Sequence, residues 1–112
     1  MWKYQMINRE SIKFDGQNES NDYDMKLRWD LLPMNVIEEI VKIYSYGAKK
    51  YGDNRWQNLE NYEDRYFAAC MRHLIAWRNG KQVDPESTHF HLAHSIWNLI
   101  SLLWKDLQEK NK

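Results

Sequence analysis

Basic, imidazole and carboxylate side chains recur in this sequence at helical spacing and at the edges of apolar segments. Arg72-His73 is followed by Asp84-Pro85-Glu86-Ser87, then by His91-Leu92-Ala93-His94 with Asn98 one turn further. His91 and His94 lie three apart on one helix face, and Asn98 shares it. Such groups can hydrogen-bond phosphate oxygens and a base, or ligate a metal. The plain alternative is a buried polar network between helices, or a histidine cap at the helix start. Arg72, beside His73, can bring a guanidinium fork to a phosphate, or simply pair with Asp64, Asp84 or Glu86. Asp84, Glu86 and Ser87 can hold a hard metal ion or position a water, and they are equally good helix-capping residues.

A second cluster surrounds Gly47-Ala48-Lys49-Lys50-Tyr51-Gly52. Lys49, Lys50 and Arg55 gather at the end of a predicted helix, where its dipole favours cations even without a ligand. Lys49 shares a stripe with Glu38, a candidate magnesium ligand that could instead form a capping box with Asn35. Tyr51 and Trp56 offer faces for a base, or belong to the core. Further upstream, Lys26 and Arg28 precede Asp30 and could fold over a triphosphate or make a salt bridge. A small phosphate-bearing nucleotide is the ligand class these residues suit best.

Three helices must position these groups. The first is predicted from about Pro33 to Tyr51, with proline in the first turn. Ile37, Ile40, Val41, Tyr44, Ala48 and Tyr51 form its buried stripe, and Gly52 ends it in a left-handed conformation. The second is predicted from about Glu63 to Asn79, capped by Asn61 and ended by Gly80. Tyr66, Phe67, Cys70, Met71, Leu74, Ile75 and Trp77 leave it little surface for water. The third is predicted to start between Glu86 and His89 and to run to about Leu107. Leu92, Ala93, Ile96, Trp97, Leu99, Ile100, Leu103 and Trp104 cover most of its circumference, which calls for burial on more than one side. One narrow stripe stays polar: His91, His94, Ser95, Asn98, Ser101 and Lys105. Three helices cannot cover so much apolar surface in a small domain. The expectation is an all-α fold with three main helices in a bundle, assembled as a homo-oligomer through the second or third helix. Residues 1–30 are expected to form an irregular arm, with a short strand possible between Tyr4 and Phe14. Residues 31–108 would be the helical nucleotide-binding domain and 109–112 a tail.

Composition narrows the function classes. Sixteen basic side chains balance sixteen acidic ones, so no overall field draws the chain to nucleic acid or an anionic membrane. The lone Cys70 fits a reducing cytoplasm, and no apolar run is long enough to span a bilayer. The sequence contains neither a Gly-x-x-x-x-Gly-Lys-Ser/Thr phosphate loop nor a Gly-x-Gly-x-x-Gly turn. Cys70 sits mid-helix on an apolar face, poorly placed for a thiol nucleophile. His-x-x-His has no further Cys or His at zinc-finger spacing.

Several motifs in order resemble a known family. Lys-x-Arg-x-Asp-Leu-Leu-Pro stands at Lys26 to Pro33, Gly-Ala-Lys-Lys-Tyr-Gly at Gly47 to Gly52, and Arg-His-Leu-x-Ala-Trp at Arg72 to Trp77. Asp-Pro-Glu-Ser follows at Asp84 to Ser87 and His-Leu-Ala-His-x-x-x-Asn at His91 to Asn98. Together they resemble the N-terminal domain of dATP/dGTP diphosphohydrolases, a family of small, mostly phage-encoded proteins. That family is similar to the all-α nucleoside triphosphate pyrophosphohydrolases of the MazG type. The resemblance implies a helical oligomer that binds a (deoxy)nucleoside triphosphate with Mg2+ or Mn2+, releasing a monophosphate and pyrophosphate.

On this reading Lys26, Arg28, Lys49, Arg72, His91, His94 and Asn98 would bind substrate. Glu38, Asp84, Glu86 and His73 would be catalytic, with Glu38, Asp84 and Glu86 holding the metal. The MazG type uses paired Glu-x-x-Glu and Glu-x-x-Asp on consecutive helices. Here Glu60 to Glu63 fits only the first spacing, at a turn, and Glu19 to Asp22 fits the second in a polar loop before it. That departure keeps open a non-catalytic phage protein of the host cytoplasm that sequesters a nucleotide-derived defence signal, cyclic or of ADP-ribose type. It also keeps open a purely structural helical module.

Overall fold

Turn-forming residues separate three stretches of helical period, and each stretch folds as a helix. The computed structural model describes residues 26–110. The possible strand between Tyr4 and Phe14, the turn-rich stretch from Asp15 to Asp22 and the Glu19 to Asp22 spacing lie outside the described residues. The chain divides into two compact units between Leu32 and Pro33. In the described part of the first, Trp29–Leu31 form a 3-10 turn. Arg28 there donates two 2.8 Å hydrogen bonds to the Asp30 carboxylate.

The second unit runs α1 (Met34–Tyr51), a 3-10 turn (Arg55–Asn58), α2 (Tyr62–Arg78) and α3 (His91–Lys110). No strand occurs among the described residues; one antiparallel bridge joins Val83 and Phe90. The all-helical reading with three main helices therefore holds. No helix among the described residues is long and apolar enough to cross a membrane.

The helix ends show which local chemistry prevailed. Pro33 occupies the cap position of α1 in an extended conformation, and no side chain caps the helix, so the Asn35–Glu38 capping box does not form. Gly52 ends α1 at φ 106°, ψ 156°, an extended positive-φ conformation essentially confined to glycine. Its N–H reaches Ala48 O at 2.8 Å. Asn61 precedes α2 in the left-handed region (φ 56°, ψ 40°) but makes no side-chain cap. At the other end Gly80 N–H bonds Trp77 O at 2.9 Å and Lys81 N–H bonds Ala76 O at 3.0 Å, the paired closure of a Schellman motif.

The third helix starts later than its sequence suggests. Asp84 to Ser87 form a turn, not a helical lead-in. The Asp84 carboxylate accepts the Ser87 N–H at 3.2 Å and the Glu86 N–H at 3.4 Å. Thr88 N–H bonds Asp84 O at 2.7 Å. Short polar side chains that capture nearby backbone donors compete with helix formation. The pairing of Asp84 N–H with His89 O (2.8 Å) and of His91 N–H with Gln82 O (2.9 Å) then closes the loop.

Burial corrects the expected core. On α1 the buried pair is Ile40 and Ile43, whereas Val41 and Tyr51 are exposed. On α2 only Tyr66 and Cys70 are buried, with Phe67, Ile75 and Trp77 largely outside. On α3 the expected arrangement is inverted. Asn98 (3% exposed) and Ser101 (0%) face inward with His91, Ala93 and Ser95, while Leu99 (55%) and Leu103 (58%) face outward. Small inward residues let α2 and α3 approach closely. Ser95 Oγ–H bonds Cys70 O at 2.9 Å, and Cys70 Sγ–H returns to Ser95 O at 3.6 Å. Asn98 Nδ2 and Ser101 Oγ donate to the carbonyls four residues back, His94 O at 2.8 Å and Trp97 O at 3.0 Å, which satisfies one donor of each within α3.

Candidate functional site

An open cleft of about 930 Å3 lies among the C-terminal half of α1, the Gly52–Glu60 connection, α2 and the start of α3. Its volume falls within the range of small-molecule sites. Tyr44, Trp56, Tyr66 and Trp97 make one aromatic wall. Their rings meet edge to face or tilted, with centroids 5.4–6.4 Å apart, the arrangement their quadrupoles favour. A smaller recess of about 420 Å3 adjoins the cleft. Tyr46, Tyr51, Arg72, His73 and His94 line both. The site is therefore an aromatic arm and a histidine arm sharing a basic and imidazole boundary.

The histidine arm is built by α2, the 84–90 loop and α3. His73 on α2 stacks on His94 of α3, with ring centroids 4.3 Å apart and planes 10° from parallel. His73 Nδ1 lies 2.9 Å from His91 Nδ1, so one ring donates and the other accepts. His94 Nε2 is 2.7 Å from Ser87 Oγ and 3.7 Å from Asp84 Oδ2. Ser87 Oγ in turn lies 2.9 Å from Asp84 Oδ2.

Burial and neighbouring imidazoles set the charge of this cluster. His94 is pushed down to about 4, first by desolvation and then by His73, with Asp84 opposing. His73 is also lowered, by burial and then by His91. Burial pushes the Asp84 carboxyl up, but hydrogen bonds from the Ser87 hydroxyl, Ser87 N–H and Glu86 N–H outweigh it and hold the group below its usual range. At neutral pH the arm thus holds an ionised Asp84 beside neutral His73 and His94.

Arg72 supplies the cationic element. It is exposed, lines both arms, and has no ion-pair partner among the described residues. The proposed pairings with Asp64, Asp84 or Glu86 do not occur. Lys50 adds a second cation to the histidine arm, with Nζ 5.2 Å from the Tyr51 ring centroid and 5.7 Å from that of Tyr46. Arg55 and Arg65 line the aromatic arm.

The predicted site residues separate accordingly. Arg72, His73, Asp84, Glu86, His91 and His94 meet in the histidine arm, and Asn98 lines the aromatic arm. Lys49 and Glu38 line neither; both are exposed on α1. Lys26 and Arg28 belong to the other unit. Glu38, Asp84 and Glu86 therefore do not form one metal cluster. No group of three His, Cys, Asp or Glu side chains among the described residues could hold a metal ion. Sequence reasoning undervalued Lys50 and Arg55 as dipole-stabilised cations, and it missed Ser87 as a partner of His94. The three-residue spacing of Asp84 and Ser87 is the available signal, but in sequence it suits a metal ligand set, a positioned water or a helix cap equally well.

Comparison with known proteins decides the family. The family model described as "dATP/dGTP diphosphohydrolase, N-terminal" matches residues 16–112. The chain belongs to that family. A dATP/dGTP diphosphohydrolase of Salmonella phage PMBT28 is 28% identical over 74 residues, 66% of this chain and 25% of that relative. The chain thus spans about a quarter of the relative's length. No solved structure matches. Within this diphosphohydrolase N-terminal family, the match region takes in both arms of the cleft.

Proposed function

We propose that the cleft binds a purine deoxynucleoside triphosphate and hydrolyses it to a monophosphate and pyrophosphate. The carrying observation is Arg72: an unpaired guanidinium where an aromatic arm meets a histidine arm, in a chain whose relative is named a dATP/dGTP diphosphohydrolase. Arg72 and Lys50 would engage phosphates, the Tyr44–Trp56–Trp97 wall would take the base, and Asn98 would contact the sugar or base. The described carboxylates do not suit a resident metal: no three His, Cys, Asp or Glu side chains among the described residues gather as ligands, and three N–H or O–H donors already bind Asp84. Mg2+ or Mn2+ is proposed instead as part of the substrate, chelated by its phosphates, with Glu86 on the histidine arm as the nearby carboxylate.

We further propose that the working form is a homo-oligomer in the host cytoplasm. Leu99 and Leu103 on α3, with Phe67 and Ile75 on α2, are more than half exposed in the single chain. A second copy would bury such exposed side chains.

A second reading is sequestration without chemistry, as for a cyclic or ADP-ribose-type defence signal. The engagement of Asp84 in local hydrogen bonds favours it. One experiment separates the two. The purified protein is incubated with dATP, dGTP and a panel of signalling nucleotides with Mg2+ or Mn2+, then denatured, and the released compounds are analysed. Pyrophosphate with dAMP or dGMP supports hydrolysis. Intact nucleotide recovered from a tight complex supports sequestration, and no binding removes both.

A further inference from the structure

We infer that Asp84 and Ser87 lock His94 as the Nε2–H tautomer, leaving its Nδ1 as the base that takes a proton from the attacking water. This rests on the hydrolytic reading above. The lock follows from counting protons. Ser87 Oγ has three neighbours: the His89 N–H at 3.2 Å, Asp84 Oδ2 at 2.9 Å and His94 Nε2 at 2.7 Å. His89 N–H can only donate. The Asp84 carboxyl, held ionised by the hydrogen bonds it receives, can only accept. The single Ser87 proton therefore goes to Asp84, and Ser87 Oγ must accept from His94 Nε2. Nε2 then carries the proton and Nδ1 keeps a bare lone pair.

His94 Nδ1 has no hydrogen-bond partner among the described residues, yet it is not one of the sealed polar atoms; Trp97 Nε1 alone is both buried and unpartnered there. His94 lines both arms, as Arg72 does, and the proposed arrangement has the Nδ1 lone pair facing the cleft. Stacking on His73 at 4.3 Å fixes the ring plane. In the proposed step a water oxygen bonds the α-phosphorus, the bond from that phosphorus to the bridging oxygen breaks, and pyrophosphate leaves with the electron pair. The water proton passes to His94 Nδ1. The resulting imidazolium keeps its Nε2–H on Ser87 and faces Asp84 at 3.7 Å, the charge arrangement of a histidine base oriented by a carboxylate. Ser87 and Asp84 are positioning residues; His94 touches the reacting water.

Two measurements on the whole chain test this. Long-range 1H–15N correlation of the wild type reports the His94 tautomer without any substrate. The Nε2–H form is expected, Ser87→Ala should mix the tautomers, and Ser87→Thr should restore the single form. With dGTP as the probe, His94→Gln should lower kcat at least a hundredfold with KM changed less than threefold, and Ser87→Ala should shift the acid limb of the kcat–pH profile. An Nδ1–H tautomer, or an unchanged kcat in His94→Gln, overturns the inference while an active wild type keeps the hydrolytic reading. A wild type that binds dGTP but releases no pyrophosphate ends both that reading and the base role, whatever the tautomer.

Discussion

His73 and His94 come from different helices, yet their imidazoles stack 4.3 Å apart and 10° from parallel. Two imidazolium ions cannot share that geometry cheaply, so the stack favours neutral rings and makes the site sensitive to acid. The folded pKa of His94, about 4, lies below the ordinary 6.5. Between those values the unfolded chain binds a proton that the folded chain refuses. Stability is therefore unaffected by this group at pH 7 and falls as pH drops from about 6.5 to about 4. Urea midpoints measured across that window should fall in the wild type and flatten in His94→Gln. An unchanged slope in the variant would refute the neutral stack.

Arg72 should matter for ligand and little for folding. It is exposed and has no ion-pair partner among the described residues, so Arg72→Ala should leave the thermal midpoint nearly unchanged. Removing a charge-assisted phosphate contact should cost about 2 kcal/mol, roughly thirtyfold in Kd. Arg72→Lys should recover only part of it, because an ammonium lacks the guanidinium fork. Calorimetric titration with dGTP reads both variants, and equal affinity in wild type and Arg72→Ala would remove Arg72 from the site.

Gly47 separates stability from binding. It lies inside α1 and lines the aromatic arm, and an added Cβ would meet nothing within 4 Å. Gly47→Ala should stabilise the helix by about 0.5–1 kcal/mol. The same methyl should reduce nucleotide affinity several-fold if the ligand approaches this turn of backbone. Higher thermal stability with undiminished affinity would place the ligand elsewhere along the arm.

The outward leucines of α3 test assembly. Leu99 and Leu103 are more than half exposed, so glutamate at either position would perturb an isolated chain by about 0.5 kcal/mol or less. In the proposed oligomer it would bury a charge. Leu99→Glu with Leu103→Glu should shift sedimentation from oligomer to monomer. A wild type that sediments as a monomer would contradict the assembly outright.

Much of this was readable from residue order. The 3.6-residue period of Ile37, Ile40 and Tyr44 announces α1, and Gly80 marks the end of α2 because its backbone conformation suits glycine. Arg72, His73, His91 and His94 interrupt apolar text, and they do converge. The start of α3 was not readable, because Asp84 and Ser87 have the composition of a helix cap and instead build a turn. Nor was the inward face of α3. Between Leu92 and Trp104 apolar side chains outnumber polar ones, and only packing shows that Ser95 turns inward against Cys70 of α2. Lys49 and Lys50 are adjacent, and a shift of one position, about 100° around the helix, decides which reaches the histidine arm.

The most direct test of the shared cleft is a crystal structure of the chain with a dGTP analogue whose α–β bridging oxygen is replaced by methylene. The account predicts the guanine against the Tyr44–Trp56–Trp97 wall, phosphate oxygens within hydrogen-bond distance of Arg72, and the α-phosphorus facing His94. An analogue bound outside both arms, or phosphates seated away from Arg72 and His94, would contradict it.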